Sequence, residues 1–290
     1  MGLRLKFNLV LLVVFALGLG VTGWISYDLL HRNAQDEVLR NAGVMMEAAL
    51  SMRGYTNTQI RPLIPFNDEV FHPQSVPAYS ATEIMSTLRK KYTDYSYKEA
   101  TLNPTNPRDR AVEWETDIVN AFRNDPDRGE ITGMRETPTG RSLYLARPFQ
   151  IKDKACLACH TTAAEAPPAM VKVYGSNNGF GWKHMEVVGA QIVSVPMSLP
   201  IKNANRAFYT FMGSLTAVFV VLFVILNVMM SALIVRPITR MSEAAGEIST
   251  GNMEIPEFPE KGGDEISLLA RSFNRMRRSL EKAIELIEKK

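Results

Sequence analysis

Two stretches of this chain carry no charged side chain: "FNLVLLVVFALGLGVTGWISY" at residues 7–27 and "AFYTFMGSLTAVFVVLFVILNVMMSALIV" at residues 207–235. A bilayer core takes roughly 20 apolar residues of helix, so each run is long enough to cross one. A cleaved leader is the other reading of the first run. The run is longer than a leader's apolar region, and the following "TGWISYDLLHR" offers no small-residue cleavage pattern. Arg4 and Lys6 precede the first run, and Arg236 and Arg240 follow the second. Positive flanks stay in the cytoplasm, so both termini are expected there. The chain then divides into a cytoplasmic N-terminus (1–6), a transmembrane helix (7–27), an outer domain (28–206), a second transmembrane helix (207–235) and a cytoplasmic tail (236–290). In a bacterium this is a two-pass protein of the inner membrane, in contact with lipid, with a periplasmic domain between its spans. The 33 basic and 30 acidic residues are spread without a dense basic run, so nucleic acid is not an expected partner.

The outer domain begins as a helix continuing from the membrane. Leu30, Val38, Met45, Ala49 and Met52 fall near helical spacing between charges. "RPLIPFNDEVFHPQSVPAY" is broken by prolines and predicts loop or short helix. "AVEWETDIVNAFRND" predicts a helix with Val112, Ile118, Val119 and Phe122 as its apolar positions. "GEITGMRETPTGRSLYLARPFQI" predicts strand, turn and strand, and "EVVGAQIVSVPM" a further strand. These elements make a small α+β domain whose last strand leads into the second apolar run.

Cys156 and Cys159 are the only cysteines, and His160 follows the second directly, in "KDKACLACH". Cys-x-x-Cys-His is the spacing of c-type haem attachment. Each thiol adds across a haem vinyl group, and the short tether then makes the histidine the proximal iron ligand. The oxidising side of the membrane, where topology puts this loop, also permits a plain disulfide. A zinc site would need a fourth ligand, for which His184 is available. A redox disulfide would want a thioredoxin-like βαβ context, which is missing here. Haem c, with its iron, is the reading adopted, with Cys156 and Cys159 as covalent attachment points and His160 as axial ligand. Candidates for the distal ligand are Met52, His72, Met46, Met45 and His184. Each has a plainer role in packing or at the surface, and an open distal position would favour a diatomic gas. Tyr55, Tyr144 and Arg147 are candidates for reaching propionates. The two Asn-Pro steps of "LNPTNPRDR" force extended and turn geometry that either walls a pocket or forms a surface turn. The glycines of "YGSNNGFGW" allow close approach to a flat ligand, with Phe180 and Trp182 available to pack on it.

The tail carries a different pattern. Ile238, Met241, Ala245 and Ile248 are spaced 3-4-3, and Ile266, Leu269, Phe273, Met276, Leu280, Ala283 and Ile287 continue 3-4 after a Pro- and Gly-rich connector. Such a seam pairs helices, and two copies forming a four-helix coiled coil would bury it, so a homodimer is expected. Pro237, the helix to Thr250, "GNMEIPEFPEKGG" and "DEISLLARSFNRMRRSL" together resemble the HAMP signal-relay domain. Asp264 and Glu265 stand where that family has its acidic pair. Ser267 stands where the family usually has glycine.

The segments "RGYTNTQIRPLI", "SVPAYSATEIM", "YSYKEATLNPTNPRDRAVEWETDIVNAF", "LYLARPF", "CLACH" and "GFGWKHMEVVGAQIVSVP" resemble the Tll0287-like family. The resemblance implies a PAS-like fold, haem c at the Cys-x-x-Cys-His motif, and fusion to HAMP and output domains. A member of that family uses cysteine as distal ligand, and this chain has no third cysteine to supply it. The expected architecture is thus α+β: a PAS-like domain between two transmembrane helices, then an α-helical HAMP coiled coil.

The expected function is a membrane-anchored haem sensor of redox state or a diatomic gas, relaying through HAMP to a separate cytoplasmic signalling or membrane-complex protein. A membrane-anchored electron-transfer cytochrome and a haem-free sensor of a small molecule are the alternatives. Absorption spectra separate the last from the others, and the heptad seam speaks against a simple electron carrier. No enzyme is expected, since the chain has no Gly-x-Ser-x-Gly and no Gly-rich phosphate loop. The seam reaches almost to residue 290, so the output is expected on another protein.

Overall fold

The computed structural model describes residues 2–64, 69–260 and 262–288. It divides into two units, residues 27–207 and residues 1–26 with 208–290. The helices are α1 (Leu3–Tyr55), α2 (Pro77–Arg89), α3 (Glu113–Asn124), α4 (Leu157–His160), α5 (Pro168–Tyr174), α6 (Ser198–Met230), α7 (Arg236–Ser249) and α8 (Glu265–Glu288). The strands are β1 (Ser96–Thr101), β2 (Ile131–Thr137), β3 (Gly140–Gln150) and β4 (Val187–Pro196).

The unit of residues 27–207 is an α+β layer structure around an antiparallel sheet of order β1-β4-β3-β2. β2 and β3 form the hairpin expected around "TPTG". Gly140 closes it with φ +111°, and Thr137 donates to its carbonyl at 2.6 Å. β4 is central, and its residues from Val187 to Val195 are all buried. Helices cover both faces of the sheet. On one, Val38, Ala42 and Met46 of α1 pack on Leu143, Leu145, Val193, Val195 and Met197. On the other, Ile118, Val119 and Phe122 of α3 pack on Ala100, Ala146, Val187, Ala190 and Ile192.

The buried stripe of α1 is Ala34, Val38, Ala42, Met46 and Ala49, so Met46 rather than Met45 points to the core. β1 and α2 were not anticipated from the sequence. The Pro-rich stretch contains short 3₁₀ turns at Arg61–Leu63 and Pro73–Ser75, with α2 starting at Pro77. Its residues 65–68 lie outside the described residues.

In the other unit, Phe15 and Phe219 stack with ring centroids 4.8 Å apart. Gly23 lets the Met212 methyl come close, since a Cβ there would stand 3.3 Å from it. Helices starting at Leu3 and at Ser198 are long and apolar enough to cross a membrane, with mean hydropathy 2.3 and 2.9 over their most apolar windows. In the tail, Met241, Ala244 and Ile248 of α7 are buried, with Ala244 in the place expected of Ala245. Asp264 caps α8 by accepting from the Ser267 N–H at 2.8 Å. The connector lies along α8. Fully buried Asn274 accepts from the Phe258 N–H at 3.1 Å and donates to the Phe258 carbonyl at 2.9 Å, while Phe258 meets Phe273 edge-on at 5.3 Å. Along the expected seam, Leu269, Met276, Leu280 and Ile287 are 47%, 48%, 41% and 74% exposed.

Two π-type turns share one cause. Thr56–Ile60 is closed by the Arg61 N–H on the Thr56 carbonyl, and Ser231–Val235 by the Arg236 N–H on the Ser231 carbonyl. In each case proline comes next, Pro62 or Pro237. Proline donates no hydrogen bond, and its ring crowds the carbonyl four residues back. Widening the preceding turn by one residue relieves that crowding.

Candidate functional site

The sheet face toward α1 changes character along its length. Its apolar part carries Leu143, Leu145, Val193 and Val195. Farther along, Glu99, Thr101 and Gln191 take the inward positions and line a cavity of about 520 Å³. That volume lies within the usual range of ligand pockets, about 300–1,000 Å³. α1 contributes Leu50, Arg53 and Gly54 to its wall, the π-type turn after it contributes Asn57, and Cys156, Cys159 and His160 lie in the same wall. Pro104, Thr105, Asn106, Arg108 and Asp109 complete part of it, so "LNPTNPRDR" walls a pocket.

The motif itself is a short helical turn. The Asp153 side chain accepts from the Ala155 N–H at 2.8 Å and starts it. Cys156 and Cys159 are free, half-buried thiols, and burial pushes both upward in pKa. Arg53 and Arg61 oppose that shift at Cys156, and Arg61 opposes it at Cys159.

His160 is held on two sides. Its ring stacks on Trp182 with centroids 3.9 Å apart and planes 12° from parallel. Its Nδ1 lies 2.7 Å from the Gly179 carbonyl oxygen. A carbonyl only accepts, so Nδ1 carries the proton and Nε2 keeps its lone pair. Burial also lowers the imidazole pKa, although the Gly179 bond opposes this, so the neutral form is favoured.

The loop that supplies Gly179 is itself fixed. Asn103 accepts from the Gly179 N–H and donates to the Phe180 carbonyl, both at 3.1 Å. Gly179 has φ +83°, and a Cβ there would come within 2.7 Å of the Thr105 Cα. Only glycine fits this close approach. Trp182 lines the cavity, while Phe180 presents its backbone to Asn103.

The distal candidates from the sequence sit elsewhere. Met46 is fully buried in the core and Met45 packs beside it. Met52 is half-buried and His72 exposed, and neither is in the cavity wall, although Phe71 and Pro73 are. His184 is exposed, with Nε2 3.2 Å from the Lys152 carbonyl oxygen. Met170 on α5, which sequence reasoning passed over, is buried and in the wall.

The propionate candidates are also outside it. Arg147 pairs with Glu47 at 2.6 Å and Glu130 at 3.0 Å, Tyr144 packs on Trp114, and Tyr55 is exposed. The basic side chains of the wall are Arg53, Arg61, Arg108 and Lys152. Tyr144 instead borders a more open depression of about 550 Å³ with Trp114 and Arg135, which contains neither cysteine nor histidine.

Among the described residues, no group of three or more His, Cys, Asp and Glu side chains converges as a metal centre. The arrangement suits a group that takes the two thiols as anchors and the imidazole alone as ligand. Apolar Leu50, Val76, Pro148, Phe149 and Trp182 would cover its faces, and the basic residues would meet its carboxylates.

Residues 31–196 match the Tll0287-like family model, and residues 229–282 match that of the HAMP domain. The sensor histidine kinase WalK of Bacillus subtilis is 30% identical over 122 residues, 42% of this chain and 20% of that protein. The chain therefore spans a fifth of the length of that curated relative. The crystal structure of the cyanobacterial heme-protein Tll0287 covers 55% of this chain and 95% of its own, at 15% identity and a TM-score of 0.44.

Proposed function

Because the chain belongs to the Tll0287-like family, with a PAS-like α+β domain joined to HAMP, we propose that it is a membrane-anchored c-type haem sensor. Residues 7–27 and 207–235 cross the bacterial inner membrane, residues 28–206 face the periplasm, and 1–6 and 236–290 face the cytoplasm. The observation that carries this reading is the state of His160. Its Nδ1 proton is committed to Gly179, which leaves Nε2 as a ligand in the wall that also holds Cys156 and Cys159. When bound, haem supplies an iron centre that changes oxidation state or binds a diatomic gas.

The chain's own residues do the rest. Cys156 and Cys159 fix the group in register. Trp182 and Gly179 hold the imidazole plane and its tautomer. Phe149, Leu50 and Pro148 keep water from its faces, and Arg61, Arg108 and Lys152 neutralise its carboxylates. The signal passes to α8, whose exposed seam pairs with a second copy of the chain, and from there to a separate cytoplasmic or membrane partner. That seam favours relay over simple electron transfer, because a carrier has no use for it.

The test is spectroscopic. Protein purified from a host that matures c-type cytochromes should give a pyridine haemochrome of one haem c per chain, and its reduced form a carbon monoxide difference spectrum if the distal position opens. A colourless, folded protein from that host overturns the reading.

A further inference from the structure

One ion pair in the cavity wall joins two different elements. Arg53 sits in the last turn of α1 and Glu99 within β1, with side chains 18% and 3% exposed. Tyr97 donates to the other oxygen of Glu99 at 2.7 Å. The Arg53 guanidinium lies over the Phe149 ring, 4.9 Å from its centroid. Both charged residues line the cavity, and the Arg53 charge is felt at the Cys156 thiol. A buried pair of this kind is costly to separate, because the partner left behind keeps a desolvated charge. It ties the end of α1 to the sheet only while both members hold.

We propose that Arg53 couples the charge of the group held at Cys156, Cys159 and His160 to the end of α1, by dividing its guanidinium between Glu99 and the cavity. This rests on the haem reading above. One electron passing from a soluble one-electron donor to the iron lowers the charge in the cavity by one unit, converting ferric to ferrous without making or breaking a covalent bond. Arg53 is then drawn toward the cavity, Glu99 keeps Tyr97 as its remaining partner, and the last turns of α1 loosen. Loss of the electron restores the pair. Phe149 holds the guanidinium between its two positions, since a cation over an aromatic face tolerates small lateral shifts. Leu50 and Gly54 on the same end of α1, and Asn57 in the turn after it, also line the cavity, so the helix end and the bound group share one boundary.

Full-length protein in detergent tests this by hydrogen exchange of residues 50–60 in the ferric and ferrous forms, and by potentiometric titration. The wild-type segment should exchange about fivefold or more faster when reduced, the low end of ordinary coupling between sites. Glu99→Gln keeps the side-chain shape and removes the charge. It should erase the redox difference in exchange and shift the oxidised-to-reduced ratio tenfold toward reduced, about 59 mV upward for one electron. Arg53→Gln should move the potential the opposite way, and Arg53→Lys should stay near wild type. Should Arg53→Gln fail to fold, Glu99→Gln and Arg53→Lys carry the test. Haem-loaded Glu99→Gln with the wild-type exchange difference and potential overturns the coupling alone. Wild-type protein without covalent haem overturns the underlying reading and this inference with it.

Discussion

The two units of this chain treat their apolar side chains differently. Residues 27–207 gather a core of their own: Val38, Met46, Phe122, Val193, Val195 and Met197 are all less than 2% exposed, although Val44, Leu63 and Leu199 stay open. The helical unit leaves its own open, from Leu9, Val13 and Leu17 of α1 to Val220, Ile225 and Val228 of α6 and Met276 and Ile287 of α8. The α+β unit has its core clusters within one chain. The helical unit has surfaces that a bilayer and a second copy would cover. The Tll0287-like domain thus carries the buried cores, and the HAMP region carries the open apolar seam.

The largest effect that sharpens this contrast is in the core. Phe122→Ala should destabilise the α+β unit by about 3–5 kcal/mol, the usual loss for emptying a buried phenylalanine site. Thermal unfolding followed at the Trp114 and Trp182 fluorescence would read it. Met276→Asp changes a side chain 48% exposed and should leave that unfolding transition in place. It should instead weaken pairing between chains. Crosslinking checks this: Met276→Cys should join two chains more readily than Arg275→Cys, and adding an aspartate at Leu280 should remove the difference. An equal loss of stability in the α+β unit from Phe122→Ala and Met276→Asp would break the comparison.

A smaller effect lies at the cavity. Burial pushes the Asp109 carboxyl up to about 6, reinforced by Glu99 and opposed by Arg108 and Lys98. The unfolded value is about 3.9, so between these two values the folded chain holds the proton more tightly than the unfolded one. That contribution is full below about pH 4 and is lost as pH rises through about 6. Asp109→Asn should therefore stabilise the protein relative to wild type near pH 8 but not near pH 4, by at most about 3 kcal/mol. Equal differences at both pH values would contradict the assigned burial.

Where the chain is regular, the sequence was legible. The two apolar runs, α3, the β2–β3 hairpin, β4 and the heptad helices all follow from spacing and turn chemistry. β1 was hidden for a reason tied to the site. Its inward residues Glu99 and Thr101 are polar because that part of the face lines the cavity, and only Tyr97 packs on the core, so the apolar alternation that marks a strand is missing. α2 has only Ala81 and Met85 buried, too little to set a visible stripe.

The Cys-x-x-Cys-His stretch stood out because its spacing is that of haem attachment, and its three side chains lie in one cavity wall. Its support was only partly so. "YGSNNGFGW" and "LNPTNPRDR" stood out through glycine and proline, but the bonds from Asn103 that join them are long-range and leave no local mark. Arg53 had a signal that was passed over. It continues the stripe Val38, Ala42, Met46 and Ala49 at helical spacing, and an arginine on a buried stripe needs a partner. None of the distal candidates lies in the cavity wall, and for the three methionines of α1 helical spacing alone does not separate a packing side chain from a ligand.

The most direct test of the account is a haem-dependent peroxidase stain of the denatured, electrophoresed protein, wild type beside Cys156→Ala/Cys159→Ala. The account predicts a stain that migrates with the wild-type chain and vanishes in the double variant. A wild-type chain without stain, or a double variant that keeps it, would contradict covalent attachment at these two thiols.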